Sequence, residues 1–123
     1  MIFELRTKIV PKKNSFRAGI TKNGRLYQFR KNMAKESQEL IAKECMVQRA
    51  RMGLPVVFKG KVGIHAVFRI KRGDCVGLLE TVLDALEGVA YENDRQVVQG
   101  TFAFDGKGEL GEHATARVFV YEL

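Results

Sequence analysis

The sequence predicts a small α+β domain in which two helices pack on a mixed or mostly antiparallel sheet. Two segments have apolar residues at helical spacing, several short segments alternate apolar and polar residues, and the two kinds are interleaved along the chain. A length of 123 residues with a hydrophobic share of 46% suits one domain over residues 1–123. The predicted order of elements is β-β-α-β-α-β-β, and it leaves the order of strands within the sheet open.

The first half of the chain is expected to form a strand, a loop, a short strand and a helix. Residues 2–9 alternate roughly, and Pro11 ends this strand because proline cannot donate to a sheet ladder. Residues 11–25 read as a loop with an Asn-Gly turn signal, and residues 26–29 suit a short returning strand. Residues 32–50 read as a helix that Asn32 caps and that Gly53 and Pro55 end. Its inward face is expected to consist of Leu40, Ile41 and Cys45.

The second half is expected to form a strand, a helix and two closing strands. Residues 57–70 alternate, with apolar residues on one face and a polar face formed by Lys59, Lys61, His65 and Arg69. Residues 75–87 read as a helix ended by Gly88, with an apolar stripe of Val76, Leu79, Val82, Leu83 and Leu86. Residues 96–104 and 113–121 read as the closing strands.

Charge is divided unevenly along the chain. Residues 1–72 hold 18 Lys and Arg against 4 Asp and Glu, whereas residues 73–123 hold 3 against 10, and the net charge is +7. A basic front with an acidic back favours a nucleic-acid partner, although basic surfaces also occur on proteins that bind none. The absence of a long apolar run and of a signal-peptide pattern predicts a cytosolic protein. Cys45 and Cys75 lack metal-type spacing and are expected to be free thiols.

The acids of the second half fall in a pattern that suits a metal site. Asp74 stands at a strand–helix junction, and Asp94 lies in the turn after the second predicted helix. Glu80, Asp84 and Glu87 are spaced i, i+4 and i+7 along that helix. Carboxylates that converge in this way can hold Mg²⁺, which can activate water and neutralise charge on a phosphodiester. The simpler alternatives are that Asp74 caps the helix and that the other acids form its solvated edge.

Residues 6–31 form a basic segment that is expected to hold a polyanion beside these acids. Residues 6–31 hold nine Lys and Arg with no acid, and aromatic residues are interleaved with them. Long cations with aromatics suit contact with phosphates and stacking on exposed bases. An ordinary solvated loop is the alternative. The residues predicted to bind DNA are Lys12, Lys13, Arg17, Lys22, Arg25, Tyr27 and Arg30.

The chain resembles the RusA-type Holliday junction resolvases over nearly its whole length. The segments that carry the resemblance are PKKNSFRAGITKNGRLY near the N-terminus and, most specifically, VLDALEGVAYENDRQV at residues 82–97. The resemblance implies a homodimeric Mg²⁺-dependent endonuclease that cuts branched DNA, in a family often encoded by phages and prophages. It also implies that Asp74 and Asp94 are active-site acids.

The sequence departs from the family pattern at the start of the second helix. The second family acid falls on Val76, its neighbouring asparagine on Gly77, and the family lysine on Glu80. Val76 and Glu80 are one helical turn apart, and helical side chains lean towards the N-terminus. Glu80 is therefore expected to replace the missing ligand, so the predicted catalytic and metal-binding set is Asp74, Glu80 and Asp94, with Mg²⁺ or Mn²⁺.

These observations give three hypotheses for function. The first is a metal-dependent, structure-selective endodeoxyribonuclease that resolves Holliday junctions or other branches in recombination and repair. The second is a catalytically impaired protein of the same fold that still binds branched DNA. The third is a structural or interaction protein whose acids are solvated surface residues without a role in chemistry.

Overall fold

The computed structural model describes residues 1–11, 25–53, 57–69, 75–106 and 108–123, and for residues 25–32 and 75 the backbone alone. The elements in chain order are β1 (Ile2–Leu5), α1 (Arg25–Arg51), β2 (Val62–Phe68), α2 (Cys75–Leu86), a 3₁₀ helix (Asp94–Gln96), β3 (Val97–Phe104) and β4 (Ala116–Glu122). The predicted α+β class is confirmed. None of the helices in these ranges is long and apolar enough to cross a membrane.

The four strands form one mixed sheet in the order β1-β4-β2-β3. β4 lies antiparallel to both β1 and β2, whereas β2 and β3 are parallel. The parallel pair is joined through α2, as a parallel connection requires. The register between β2 and β3 shifts at Val62 and Gly63, so that Val98 is an extra residue in the ladder, a β-bulge.

The core lies between one face of this sheet and the two helices. The alternating residues Val62, Ile64, Ala66 and Phe68 of β2 are buried, as are Ala116, Val118 and Val120 of β4. The predicted polar face of residues 57–70 is confirmed: Lys59, Lys61 and Arg69, which flank β2, are exposed, while His65 within β2 is half-buried and hydrogen-bonds Thr101 Oγ1 at 2.6 Å. Alternation therefore predicted the inner and outer faces of this strand correctly.

α1 is longer than predicted. It begins at Arg25, so residues 26–29 belong to its first turns and the prediction of a short strand there is wrong, as is that of a cap at Asn32. Leu26, Phe29 and Met33 are spaced i, i+3 and i+7, a helical period that a four-residue window hides. With this exception the order of elements agrees with the prediction.

The inward faces of both helices are offset from the predicted ones. On α1, Ile41 and Cys45 are buried as predicted, but Leu40 is exposed. On α2, Val76 is 57% exposed, and the buried side chains are Leu78, Thr81, Val82, Ala85 and Leu86. Thr81 enters this face because its hydroxyl donates to Val10 O and Gly77 O, which satisfies the buried polar group. A purely apolar stripe could not reveal a threonine that is buried through hydrogen bonds.

α1 also covers the outer edge of β1. The Gln48 amide accepts from Glu4 N at 2.9 Å and donates to Glu4 O at 2.7 Å, as a neighbouring strand would. The Glu44 carboxylate accepts from Arg6 N and Thr7 N. Main-chain groups of Glu4, Arg6 and Thr7 are thus paired with side chains of a helix, which hinders the addition of another strand at these residues.

Candidate functional site

Asp94 lies in a short, hydrogen-bonded turn between α2 and β3. It opens the 3₁₀ helix, and Asn93 caps that helix by accepting a hydrogen bond from Arg95 N at 2.9 Å. The Asp94 side chain is exposed and makes no hydrogen bond or ion pair with any described residue. The fold therefore fixes the backbone of Asp94 but leaves its carboxylate available. Asn93, which precedes Asp94, serves as the capping residue of this helix.

Gln96 ties this turn to the segment before β2. Its side-chain oxygen accepts from Glu92 N and Asn93 N, both at 2.9 Å. Its amide nitrogen donates to Phe58 O and Gly60 O, both at 2.8 Å. One side chain thus uses four hydrogen bonds to hold the Asp94 turn against a second part of the chain. This role of Gln96 is not evident from the sequence, because a lone glutamine at a strand start carries no distinctive pattern.

Tyr91 shows that several acids gather at the C-terminal end of α2. The ring is fully buried, and its hydroxyl donates to Leu83 O at 2.5 Å. Burial raises the pKa of Tyr91, and the negative charges of Asp84, Glu87 and Asp94 raise it further. The negative charges of Asp84 in α2, of Glu87 directly after α2 and of Asp94 in the turn therefore all act on one phenol.

Glu80 lies one turn before Asp84 on the same helix. Its side chain is exposed and forms no hydrogen bond or ion pair within the described part of the chain. Val76, one further turn towards the N-terminus, is exposed as well. The structure thus brings these two side chains to the surface of α2 as neighbours four residues apart, a spacing at which their Cβ atoms are roughly 6 Å from each other.

Several predicted site residues fall outside the described residues. Asp74, Lys12, Lys13, Arg17 and Lys22 belong to this group. Arg25, Tyr27 and Arg30 lie in the first turns of α1, where the backbone alone is described. Among the described residues, no three His, Cys, Asp or Glu side chains form a group that could hold a metal ion. Of the predicted set Asp74, Glu80 and Asp94, the structure thus describes the side chains of Glu80 and Asp94.

The chemistry of these two members suits a hard cation. Both are exposed carboxylates, which are the protein ligands that Mg²⁺ takes while it keeps waters for a phosphate substrate. Cys45 is a poor alternative ligand, because burial raises the pKa of its thiol to about 12 and keeps it neutral at ordinary pH.

Glu92 differs from Asp94 and Glu80 because its carboxylate forms an ion pair with Lys59. Glu92 precedes Asp94 by two residues, and its carboxylate contacts the Lys59 ammonium. Both side chains are more than half exposed, so this pair adds little to stability. Glu92 nevertheless has a partner within the fold, whereas Asp94 and Glu80 have none among the described residues.

Comparison with known proteins does not extend this picture, because no protein-family model and no curated protein matches the chain.

Proposed function

We propose that this protein is a Mg²⁺-dependent endodeoxyribonuclease that cuts Holliday junctions or other branched DNA during recombination and repair. The observation that carries the proposal is the pair of exposed carboxylates of Glu80 and Asp94. Both project from regular, hydrogen-bonded elements, and neither takes part in holding the described fold together. Their positions are those that the RusA-type resemblance assigns to active-site residues. The proposal includes a cytoplasmic setting and a phage or prophage origin.

The charge of the chain supports a DNA substrate. A net charge of +7 persists although the second half of the chain is acidic, so the excess of cations lies in the first 72 residues. Lysines and arginines that contact phosphates supply the sequence-independent part of DNA affinity. A substrate recognised by its branched shape needs this kind of contact more than base-specific hydrogen bonds.

In the proposed mechanism, Asp94 and Glu80 would hold the metal together with Asp74. A bound Mg²⁺ supplies charge neutralisation at the phosphodiester and lowers the pKa of a water ligand. The basic residues hold the DNA backbone so that the phosphodiester lies beside the acids. Gln96 and Asn93 act as positioning residues, because their hydrogen bonds fix the turn that carries Asp94.

Cleavage of a synthetic four-way junction in Mg²⁺ or Mn²⁺ tests this proposal. Wild type should cut the junction, and Asp94→Asn should lose at least a hundredfold in rate while it still binds the junction. The matched control is Glu92→Gln, which removes an exposed acid of the same turn and should keep cleavage within a few-fold of wild type. Intact junction binding without cleavage in either metal would exclude the nuclease.

A second candidate function is binding of branched DNA without cleavage. It is favoured by Val76, which is 57% exposed on the first turns of α2 at the position of a family acid. A valine there binds no metal, and Glu80 replaces the family lysine with the opposite charge. This candidate predicts salt-sensitive junction binding that is the same with and without Mg²⁺. Metal-dependent nicking that Asp94→Asn abolishes would reject it.

A further inference from the structure

One face of the sheet packs on the helices, and the other face carries aromatic rings. The inner residues of β2 and β4 lie in the core with residues of α1 and α2, and the outer residues alternate with them along each strand. The outer residues of β4 include Arg117, Phe119 and Tyr121, all half-buried. The outer face of such a sheet usually carries polar side chains, so two aromatic rings on a central strand indicate a function there.

The rings on this face are held in place by residues of the neighbouring strands. Tyr121 lies across Gly63, its register partner in β2, and a β carbon at position 63 would overlap the ring atoms Cε2 and Cζ. Phe119 lies beside its own register partner His65, with the ring centroids 6.1 Å apart and the planes inclined by 34°. His65 Nδ1 is hydrogen-bonded to Thr101 Oγ1 at 2.6 Å, which orients the imidazole. Tyr121, Phe119 and His65 therefore form an aromatic row that is partly open to solvent.

Cations lie at both ends of the aromatic row. Arg117 precedes Phe119 by two residues on the same face of β4. Lys61 is exposed and directly precedes β2, at the end of the row where Tyr121 lies. Glu4 accepts a hydrogen bond from Arg117 Nη2 at 3.2 Å, and both side chains of this pair are partly exposed. Because a guanidinium has five N–H donors, this single bond leaves Arg117 able to contact another anion.

We propose that this outer face binds single-stranded DNA, with two or three successive bases stacked on the aromatic row. Phe119 and Tyr121 are two residues apart on one strand, which separates them by roughly 7 Å, a distance that an extended nucleotide backbone can bridge. Rings on the central strands of a four-stranded sheet are suited to stacking on bases, and such stacking tolerates any sequence. Arg117 and Lys61 are the cations that would contact the phosphates.

This surface contains neither Glu80 nor Asp94, so binding here adds to the proposed cleavage and does not replace it. Only the choice of DNA over RNA rests on the proposed function, because gaps and flaps of branched DNA expose unpaired bases. The stacking itself rests on the rings and cations of the outer face. Its tests are made without metal and without cleavage, so a failure of this proposal is distinguishable from a failure of the nuclease.

The first test measures binding of a labelled oligo(dU) of about twelve nucleotides by fluorescence anisotropy in EDTA. Phe119→Leu keeps an apolar side chain and removes the ring, so it should weaken binding by about fivefold or more. The matched control is Phe102→Leu, the same substitution on the inner side of β3, where the side chain is 40% exposed, and it should bind like wild type. Tyr121→Leu is the second variant, used if Phe119→Leu fails to fold. A wild type that does not bind, or equal loss in variant and control, would overturn the proposal.

The second test separates stacking from attraction between charges. An abasic oligomer of the same length keeps the phosphates and lacks the bases, so wild type should bind it about fivefold more weakly than oligo(dU). Phe119→Leu should lose most of this preference, because the ring that recognises a base has gone. A wild type that binds both oligomers equally would refute stacking and with it the proposal. Tighter binding of oligo(rU), which differs from oligo(dU) only in its 2′-hydroxyl, would refute the choice of DNA.

Discussion

Single residues on the surface of α2 decide whether the proposed site has three ligands or two. Glu80→Gln keeps the size of the side chain and removes its charge, so metal-dependent cleavage should fall by at least tenfold if Glu80 is a ligand. Junction binding without metal should hold or improve, because one negative charge has gone. Since Glu80 is exposed, stability should change by less than ~0.5 kcal/mol. The measurement is a Mg²⁺ titration of cleavage with one junction.

Val76→Asp is the converse change and belongs in the same titration. It restores an acid on an exposed turn, where an aspartate has no desolvation cost to overcome. It should raise activity several-fold if the site lacks a ligand, and should have little effect if Glu80 already fills the position. Equal cleavage by wild type and Glu80→Gln would end the hypothesis that Glu80 replaces the family acid.

Tyr91 connects the acids to stability at high pH. Its pKa is raised in the folded protein, so the folded state keeps the phenol proton after the unfolded chain, with a tyrosine pKa of about 10, has lost it. The contribution of Tyr91 is therefore complete below pH ~10 and declines as pH rises above that value. Tyr91→Phe should lose about 1 kcal/mol at pH 8 through the bond to Leu83 O, and less at pH 11.

Urea unfolding of both chains at the two pH values measures this difference. A gap that stays constant from pH 8 to 11 would contradict the raised pKa. Asp94→Asn provides an independent check, because removing one of the repelling charges should shift Tyr91 ionisation, followed by phenolate absorbance, to lower pH.

At the scale of elements, the turn that carries Asp94 depends on one side chain. Gln96→Leu removes four hydrogen bonds of 2.8–2.9 Å, two within this turn and two between it and the segment before β2. We expect a loss of about 2–4 kcal/mol in the free energy of unfolding, since each bond contributes about 0.5–1.5 kcal/mol and their effects overlap. Cleavage should fall in parallel even where the protein is fully folded, because Asp94 is no longer held in place.

The matched control for this change is Gln38→Leu. Gln38 is a half-buried glutamine of α1 whose side chain makes no hydrogen bond with another described residue. It should cost less than ~0.5 kcal/mol and leave cleavage unchanged. The role assigned to Gln96 would be wrong if Gln96→Leu were as stable and as active as this control.

At the scale of the whole molecule, charge asymmetry governs how the protein meets DNA. Each phosphate neutralised by a lysine or arginine adds about 0.9 to the salt slope on duplex DNA. Replacing both Lys12 and Lys13 with alanine should flatten the slope of junction binding by about two units if both contact phosphate. The double variant Lys59→Ala with Lys61→Ala, which removes two exposed lysines near β2, provides the comparison. An unchanged slope for Lys12 and Lys13 would remove them from the DNA-binding set.

Much of the fold could be predicted because burial in strands repeats every second residue. β2 and β4 show this most clearly, since their inner residues are apolar and their outer residues polar or half-buried. Helix positions were harder to predict. The extent of α1 was missed because a window of four residues hides the helical period of its first turns. Val76 and Leu40 were predicted to face inward but are exposed, because each fits the spacing of an apolar stripe while lying just outside the buried face.

The sequence by itself determined the α+β class, the uneven charge and the acids that carry the proposed chemistry. Tertiary structure alone decided that α1 covers the outer edge of β1, because the hydrogen bonds of Gln48 and Glu44 join residues about forty positions apart. It also decided that Asp84, Glu87 and Asp94 act on one buried phenol, and that Gln96 fixes the turn between them and β3. Local patterns report periodicity, whereas hydrogen bonds and fields between distant segments exist only once the chain has folded.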